Sequence, residues 1–207
     1  MNDPLFKEAY RRGKETGSWG DSDIHWRAFI ACWAANKGKR LPGDFVECGV
    51  NRGGLAMTVM HYVNFKSLPK KFYLLDTYCG LSKEQISEEE RKFGIKPGGY
   101  EECYEFVKEI FKDYSNVEII KGLVSTTLDQ VKSKHVSFLS IDMNCMEPEI
   151  AAAEFFWDKM STGAVMLLDD YGWPGHLMQK QAFDDFASKH SAQVLSLPTG
   201  QGMIFKG

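Results

Sequence analysis

The sequence lacks the features that mark membrane and secreted proteins. No apolar run approaches the roughly 20 residues that span a bilayer. The opening Met1-Asn2-Asp3-Pro4 is not that of a signal peptide. The five cysteines are scattered, odd in number and without a Cys-x-x-Cys pair, so the sequence supports neither a disulfide framework nor a zinc site. We therefore expect a protein of the reducing cytoplasm with no membrane partner.

The sequence also lacks an excess of positive charge. Its 25 lysines and arginines are outnumbered by 28 aspartates and glutamates, giving a net charge of −3. A protein that binds a phosphate backbone needs a basic surface to displace counterions, so nucleic acid is not an expected partner. A small-molecule acceptor is expected instead, and the possibility of a homodimer is left open.

What is present is a length and an order of elements typical of one α/β domain. The 207 residues suit a single domain spanning 1–207, in which residues 1–42 form an N-terminal arm and a helix that cap the site. Within the arm, Arg11-Arg12-Gly13 and Gly17-Ser18-Trp19-Gly20 are expected to interrupt any long helix. Buried strands, which alternate with helical segments, are predicted at 45–48, 72–76, 117–120, 136–142, 163–170, 193–197 and 203–205. The fold class predicted is a Rossmann-like, doubly wound, seven-stranded and mostly parallel sheet with an antiparallel last strand.

The first predicted strand runs into a glycine turn, Gly49-Val50-Asn51-Arg52-Gly53-Gly54, and then into a helix. Such a turn brings backbone N–H groups close to a ligand, and we expect glycine there because a Cβ would stand between backbone and ligand. The spacing is neither the dinucleotide fingerprint nor a phosphate loop, so an ordinary strand-to-helix connection is an alternative.

Acidic residues follow four of the predicted strands, and ligands in such sheets bind at the carboxyl ends of the strands. Asp76 lies about two dozen residues beyond the glycine turn, near the spacing at which α/β nucleotide binders hold a ribose diol. Asp142, Asp169 and Asp170 end two strands and together suit Mg²⁺, a cation that prefers oxygen ligands. The alternatives are that these acids cap helices or strands, or face solvent. The charged stretch 82–99 is predicted to be a surface loop or lid that closes with the arm over bound ligands.

Four motifs in order resemble the macrocin O-methyltransferase family. They begin at Val46-Glu47-Cys48-Gly49, Leu75-Asp76-Thr77-Tyr78, Ser140-Ile141-Asp142-Met143-Asn144-Cys145 and Leu168-Asp169-Asp170-Tyr171-Gly172. The resemblance implies a class I methyltransferase that uses S-adenosylmethionine and Mg²⁺ to methylate a hydroxyl of a sugar or glycosylated natural product. The chain is short between Asp76 and Gly122, so a macrolide acceptor does not carry over from the family.

The resemblance also implies roles for particular residues. The metal ligands would be Asp142, Asp169 and Asp170. Asp76 would take both ribose hydroxyls, and Gly122 would border the adenine. The whole cofactor-binding set is Glu47, Gly49, Asn51, Arg52, Gly53, Asp76, Gly122 and Asp142. Catalytic roles are expected for Asp142 and for His176. His176 is chosen by its position just past the metal pair and not by the resemblance, and the alternative is a surface or packing residue.

Three other functions are left open by the residues. A catechol-type O-methyltransferase acting on a small diol would use the same metal geometry. A nicotinamide-dependent oxidoreductase is disfavoured by the glycine spacing and has no need of the acid cluster. A nucleotide-binding regulatory module would leave the three aspartates without a role.

Overall fold

The computed structural model describes residues 2–207 and places seven strands in one sheet. In chain order the strands are β1 (Asp44–Cys48), β2 (Phe72–Asp76), β3 (Val117–Lys121), β4 (Val136–Ile141), β5 (Met160–Leu168), β6 (Leu195–Ser196) and β7 (Gly202–Phe205). Their order across the sheet is β3-β2-β1-β4-β5-β7-β6. The first five strands pair in parallel, and β7 is antiparallel to both β5 and β6. The predicted seven-stranded sheet and its antiparallel last strand are confirmed.

Eight helices connect and cover the strands within the described residues. They are α1 (Pro4–Lys14), α2 (His25–Gly38), α3 (Gly54–Val63), α4 (Glu88–Lys92), α5 (Tyr104–Phe111), α6 (Val124–Thr127), α7 (Met146–Trp157) and α8 (Leu177–Lys189). Single 3₁₀ turns lie at Phe65–Ser67, Lys83–Gln85, Leu128–Gln130 and Pro174–His176. No helix between residues 2 and 207 has both the length and the apolarity needed to cross a membrane.

The parallel strands are buried on both faces, which explains why they read as nearly continuous apolar runs. Along β1, Phe45 belongs to the core on one face, whereas Val46 belongs to the core on the other. Phe45 packs with its ring centroid 5.6 Å from Phe72 of β2 and 5.2 Å from Phe138 of β4. The two cores thus hold the central strands firmly, so the residues that follow them have fixed positions.

The N-terminal arm differs from expectation because its first part is a regular helix. Arg11-Arg12-Gly13 does not interrupt α1. The side chain of Asp3 caps the helix by accepting from the N–H groups of Leu5 and Phe6, and Pro4 occupies the first turn. Gly13 lets α1 pack closely on α3, because a Cβ there would lie 1.9 Å from Thr58 Oγ1. Glycine at this position is therefore a packing residue and not a helix breaker.

The 82–99 segment contains more structure than a loop. It includes a 3₁₀ turn and the short helix α4, and it closes on itself where Leu81 pairs with Gly98. Ser87 and Glu90 form a capping box at the start of α4. Whether this segment moves as a lid stays a prediction.

Candidate active site

A cavity of about 250 Å³ lies at the carboxyl ends of the central strands. It is centred where the strand order reverses between β1 and β4, the place at which open α/β sheets bind ligands. Its walls include Glu47 near the end of β1 and Gly49 just after it, Asp76 at the end of β2, and Asp142 after β4. The sheet topology therefore brings the predicted strand-end acids to one cavity.

The arm and the 82–99 segment supply the outer walls of this cavity. Ser18 and Trp19 line it from the arm, and Gln85 lines it from the segment. Ser18 Oγ accepts a hydrogen bond of 2.8 Å from the N–H of Gly54, and so occupies a backbone donor at the start of α3. Tyr100, just after the segment, also lines the cavity.

The glycines of the turn are required by neighbouring protein atoms, a reason that the sequence did not reveal; close approach to a ligand stays a prediction. Gly49 has a φ of 88°, and a Cβ on it would lie 1.8 Å from the carbonyl oxygen of Asp142. Gly53 has a φ of 81°, and its Cβ would lie 2.6 Å from the ring of Phe111. Both positions thus need glycine for the left-handed backbone and for close packing.

Asp76 ties the glycine turn to the end of β2. Its Oδ2 accepts from the N–H groups of Val50 and Asn51 at 2.5 and 2.7 Å, and its Oδ1 accepts from the N–H of Tyr78 at 2.7 Å. The hydroxyl of Thr77 is 3.2 Å from Asp76 Oδ1, but it has one hydrogen and is closer, at 2.7 Å, to the carbonyl oxygen of Gly80. With that hydrogen on Gly80, Asp76 Oδ1 keeps one acceptor site. Asp76 can therefore accept one further hydrogen bond from the cavity.

Glu47 is the buried acid of the cavity that lacks a full set of partners. The residue is 1% exposed, and its Oε2 is buried without a hydrogen-bond partner. Burial, together with the charges of Asp76 and Asp169, raises the pKa of Glu47 well above its usual value. A cationic donor in the cavity would satisfy this oxygen and favour the charged form.

Asp142, Asp169 and Asp170, which we call the acid cluster, lie together at the ends of β4 and β5 and line the cavity. Burial raises the pKa of Asp142 well above its usual value, and the charges of Asp169 and Asp170 raise it further. Burial also raises the pKa of Asp169, although Arg27 opposes the shift. The cluster is thus close enough for its members to disfavour one another's ionisation.

Arg27, on the first turns of α2, is the cation that faces this cluster. Its Nη2 donates to the carbonyl oxygen of Asp169 at 2.7 Å and to Asp170 Oδ1 at 3.0 Å, and it also pairs with Asp169 Oδ2. Burial lowers the pKa of Arg27, but attraction to the three aspartates outweighs this effect and leaves the pKa raised. Arg27 is therefore firmly charged.

The predicted metal site is not formed as such. No group of three or more histidine, cysteine, aspartate or glutamate side chains within residues 2–207 is arranged to hold a metal ion. The donors themselves suit Mg²⁺, because three carboxylates offer the oxygen ligands that it prefers. The arrangement differs because Arg27 takes one oxygen each of Asp169 and Asp170.

His176 lies beside Asp170 and outside the cavity lining. Its Nε2 is 3.8 Å from Asp170 Oδ2, and its Nδ1 is 2.9 Å from Gln179 Oε1. Because a carbonyl oxygen only accepts, this contact favours a proton on Nδ1 and leaves Nε2 as the basic nitrogen. A role for His176 as the base stays a prediction.

The predicted site residues divide by their position relative to the cavity. Those that line it are Glu47, Gly49, Asn51, Asp76, Asp142, Asp169 and Asp170. Arg52, Gly53 and Gly122 lie outside the lining. Arg52 instead donates from Nε to the carbonyl oxygen of Thr16, and Gly122 donates its N–H to the carbonyl oxygen of Asp76.

Sequence reasoning gave no role to Arg27, Gln201 or Asn144, although each of them contacts the acid cluster. Arg27 stands alone as a basic residue in the largely apolar first turns of α2, which is the only signal that the sequence offers for it. Gln201 donates from Nε2 to Asp169 Oδ1 at 3.0 Å, from the turn before β7. Nothing in the local sequence marks Gln201.

Comparisons with known proteins agree with this geometry. The family model described as macrocin-O-methyltransferase (TylF) matches residues 25–195. A comparison with curated proteins gives no match. Among solved structures, the O-methyltransferase NovP is similar with a TM-score of 0.72 and 20% identity, covering 87% of this chain and 79% of that one.

Two further solved structures share the fold. The calicheamicin methyltransferase CalS11 has a TM-score of 0.72 at 15% identity, covering 100% of this chain and 95% of that chain. The methyltransferase PaMTH1 from Podospora anserina, solved with S-adenosylhomocysteine bound, has a TM-score of 0.61 at 16% identity, covering 99% and 88%.

The family match spans most of the chain and includes every strand-end acid of the cavity. The strand order and the antiparallel β7 are those of a class I methyltransferase. The chain therefore belongs to the macrocin O-methyltransferase family and is an S-adenosylmethionine-dependent O-methyltransferase.

Proposed function

We propose that this enzyme methylates a hydroxyl of a sugar or of a glycosylated natural product, with Mg²⁺ as a second cofactor. The observation that carries the proposal is one cavity that combines Glu47, Asp76 and the acid cluster at the topological switch point. A sugar acceptor is supported by the similar structure of CalS11, which is described as a TDP-rhamnose 3′-O-methyltransferase. The cavity and the family together favour a small-molecule acceptor.

On the cofactor side, Glu47 and Asp76 would bind opposite ends of S-adenosylmethionine. Glu47 offers a buried Oε2 without a partner, which fits the ammonium group of the methionine part. Asp76 offers the remaining acceptor site of Oδ1 to a ribose hydroxyl, so we assign it one hydroxyl where the family resemblance suggested both. Asn51 and Gly49 would border the cofactor. Arg52, Gly53 and Gly122 lie outside the cavity lining and would support the residues that form it.

On the acceptor side, Asp142, Asp169 and Asp170 would hold Mg²⁺. The bound ion would supply a positive charge that orients an acceptor hydroxyl and lowers its pKa. His176 would receive the proton at Nε2, which stands 3.8 Å from Asp170 Oδ2 and is the basic nitrogen of the favoured tautomer. Asp142 would contribute to catalysis by fixing the position of the acceptor.

We infer that residues 1–207 act as one catalytic domain, of which residues 1–42 cover the site. Ser18, Trp19 and Arg27 support this inference because they line the cavity from that part of the chain. All five cysteines are free, which fits the expected reducing cytoplasm. A homodimer stays a prediction.

A methyl-transfer screen tests the proposal. The enzyme is incubated with S-adenosylmethionine and a panel of nucleotide sugars, glycosides and catechols, and methylated products are detected by mass spectrometry. We expect a sugar hydroxyl to be methylated, transfer to cease in excess chelator, and Mg²⁺ or Mn²⁺ to restore it. Methylation of catechols alone would show that the acceptor is a small aromatic diol and not a sugar. Full turnover in excess chelator would show that methyl transfer does not need a metal ion.

A further inference from the structure

We propose that Arg27 is a built-in cation that holds the acid cluster in the metal-free enzyme, and that a divalent cation must displace it in order to bind. The inference rests on the metal part of the proposed function and adds to it. It assigns to this chain a residue that sets the strength of metal binding. The structural basis is the position of a single guanidinium nitrogen among the oxygens of the cluster.

The contacts of Arg27 are concentrated on one nitrogen. Nη2 donates to Asp169 through both its carbonyl oxygen and its Oδ2, and to Asp170 Oδ1. The side chains of Asp169 and Asp170 are each 13% exposed, and that of Arg27 is 20% exposed. A charge-assisted contact of this kind, largely removed from water, is stronger than a surface ion pair.

Arg27, Gln201 and Asn144 between them contact an oxygen of each carboxylate in the cluster. Asp169 Oδ1 accepts from Gln201 Nε2 at 3.0 Å, and Asp142 Oδ1 is 3.2 Å from Asn144 Nδ2. A cation held by all three carboxylates needs an oxygen from both Asp169 and Asp170. Sharing those carboxylates with the guanidinium would also set two positive charges side by side in a buried site.

Arg27 is bound in a way that permits its displacement. Its Nε is buried without a hydrogen-bond partner, so the side chain is not fully satisfied where it lies. Its guanidinium is 5.8 Å from the ring centroid of Trp173. Displacement of the side chain therefore breaks only the hydrogen bonds of Nη2.

Competition for the same oxygens has a measurable consequence. Metal can bind only when Arg27 has left the cluster. If that state is partly populated, the apparent dissociation constant for the metal is the intrinsic one divided by the populated fraction. Arg27→Met removes the guanidinium and keeps an apolar side chain of similar reach. We expect Arg27→Met to bind Mg²⁺ and Mn²⁺ at least tenfold more tightly than the wild type by calorimetric titration. In chelator, its melting temperature should fall by several degrees, because the acids lose their counter-ion.

Arg40→Met is the matched control, since Arg40 is an exposed residue just beyond the other end of α2. It removes the same charge from the chain without touching the cluster, so its metal affinity should stay within about twofold of wild type. Arg27→Lys keeps a positive charge but lacks the planar guanidinium group. Its metal affinity should lie between those of the wild type and Arg27→Met.

A second measurement uses the wild-type protein, in case Arg27→Met fails to fold. With ¹⁵N-labelled arginine, the Nε–H signal that is missing in Arg27→Lys reports Arg27. This signal should shift during a Mg²⁺ titration over the same concentrations as the calorimetric response.

The outcomes separate this inference from the proposed function. The competition would be overturned by equal or weaker metal affinity in folded Arg27→Met, or by an Arg27 signal that does not shift with Mg²⁺. Either result would leave the proposed metal site itself unaffected. No binding of Mg²⁺ or Mn²⁺ by any of these proteins would overturn both. Tight binding by Arg27→Met with none by wild type would support the competition in its strongest form.

Discussion

At the scale of single residues, Asp76 serves the fold and the site with one carboxylate. It accepts the N–H groups of Val50, Asn51 and Tyr78, and so fixes the glycine turn against the end of β2. The carboxylate that we propose binds the cofactor is therefore also needed for the backbone around it. A substitution there should affect both cofactor affinity and stability.

The first prediction concerns Asp76→Asn. Its amide group would present N–H bonds to backbone donors and would remove the charge that a ribose hydroxyl meets. We expect S-adenosylhomocysteine affinity to fall by roughly 1.5–3 kcal/mol and the free energy of unfolding to fall by about 1–3 kcal/mol. Calorimetry and urea denaturation measure the two effects.

Asp44→Asn is the control for Asp76→Asn. Asp44 Oδ1 accepts from the N–H of Lys71 at 2.8 Å, at the opposite end of β1 and outside the cavity lining. The control should lose some stability and keep its cofactor affinity. Unchanged affinity in folded Asp76→Asn would refute a role for Asp76 in cofactor binding.

Glu149 illustrates how burial sets the charge of an acid. It is 4% exposed, and its Oε1 accepts from the N–H of Met143 at 2.9 Å. Burial raises the pKa of Glu149 to about 8. The folded protein therefore keeps a proton on Glu149 at a pH where the unfolded chain has lost it.

The second prediction follows from this shift. Because the folded state binds more protons than the unfolded state between the two pKa values, stability from Glu149 falls as pH rises to about 8. Glu149→Gln keeps the oxygen and cannot ionise. We expect its free energy of unfolding to be close to wild type at about pH 5 and clearly higher at about pH 9. Glu147→Gln, an exposed change on the same helix, should show no such trend. A constant difference across pH would contradict the shift.

At the scale of elements, the 82–99 segment depends on one buried carboxylate. Glu90 is 2% exposed; its Oε1 accepts from the N–H of Met146 at 2.6 Å, and its Oε2 accepts from the N–H and hydroxyl of Ser87. A five-residue helix such as α4 is not stable alone in water. The contact of Glu90 with the start of α7 thus holds the segment beside the cavity.

The third prediction concerns Glu90→Ala. Losing charge-assisted hydrogen bonds worth roughly 1.5–3 kcal/mol each should open the segment locally. We expect hydrogen exchange in residues 81–99 to quicken by about tenfold or more, with little change in the central strands. Glu89→Ala alters an exposed neighbour on the same short helix and should leave exchange unchanged. Exchange that rises equally across the whole chain would indicate general destabilisation instead.

The same measurement tests whether the arm and the segment close over ligands. Both contribute residues to the cavity lining, among them Ser18, Trp19 and Gln85. If they close, exchange in residues 4–21 and 82–99 should slow when S-adenosylhomocysteine and an acceptor are added. Equal rates with and without ligands would count against closure.

At the scale of the whole molecule, the cavity connects several elements, so a ligand bound there should stabilise the entire fold. The fourth prediction is that S-adenosylhomocysteine at about 100 times its dissociation constant adds about 2.7 kcal/mol to the free energy of unfolding. For a chain of this size, that raises the melting temperature by about 5–10 °C. NAD should have no effect. A shift with NAD and none with S-adenosylhomocysteine would restore the oxidoreductase alternative and contradict the family assignment.

The sequence by itself determined the fold and the edge at which the site lies. Apolar runs broken by turns are local patterns, and they predicted the sheet because strands buried on both faces need continuous apolar residues. The carboxyl ends of parallel strands share one edge, so the order of elements alone brought Glu47, Asp76 and the acid cluster together.

Only the tertiary structure decided what those acids contact. Arg27 is 142 residues from Asp169 in the chain, and Glu90 is 56 residues from Met146. No local pattern encodes such pairs, because they depend on how α2 and the 82–99 segment pack after the sheet has formed. The reason for glycine at Gly49 was hidden in the same way, since it lies in the nearby backbone of Asp142. Sequence patterns fix which residues are buried or end a strand, whereas side-chain partners from distant elements are fixed by packing.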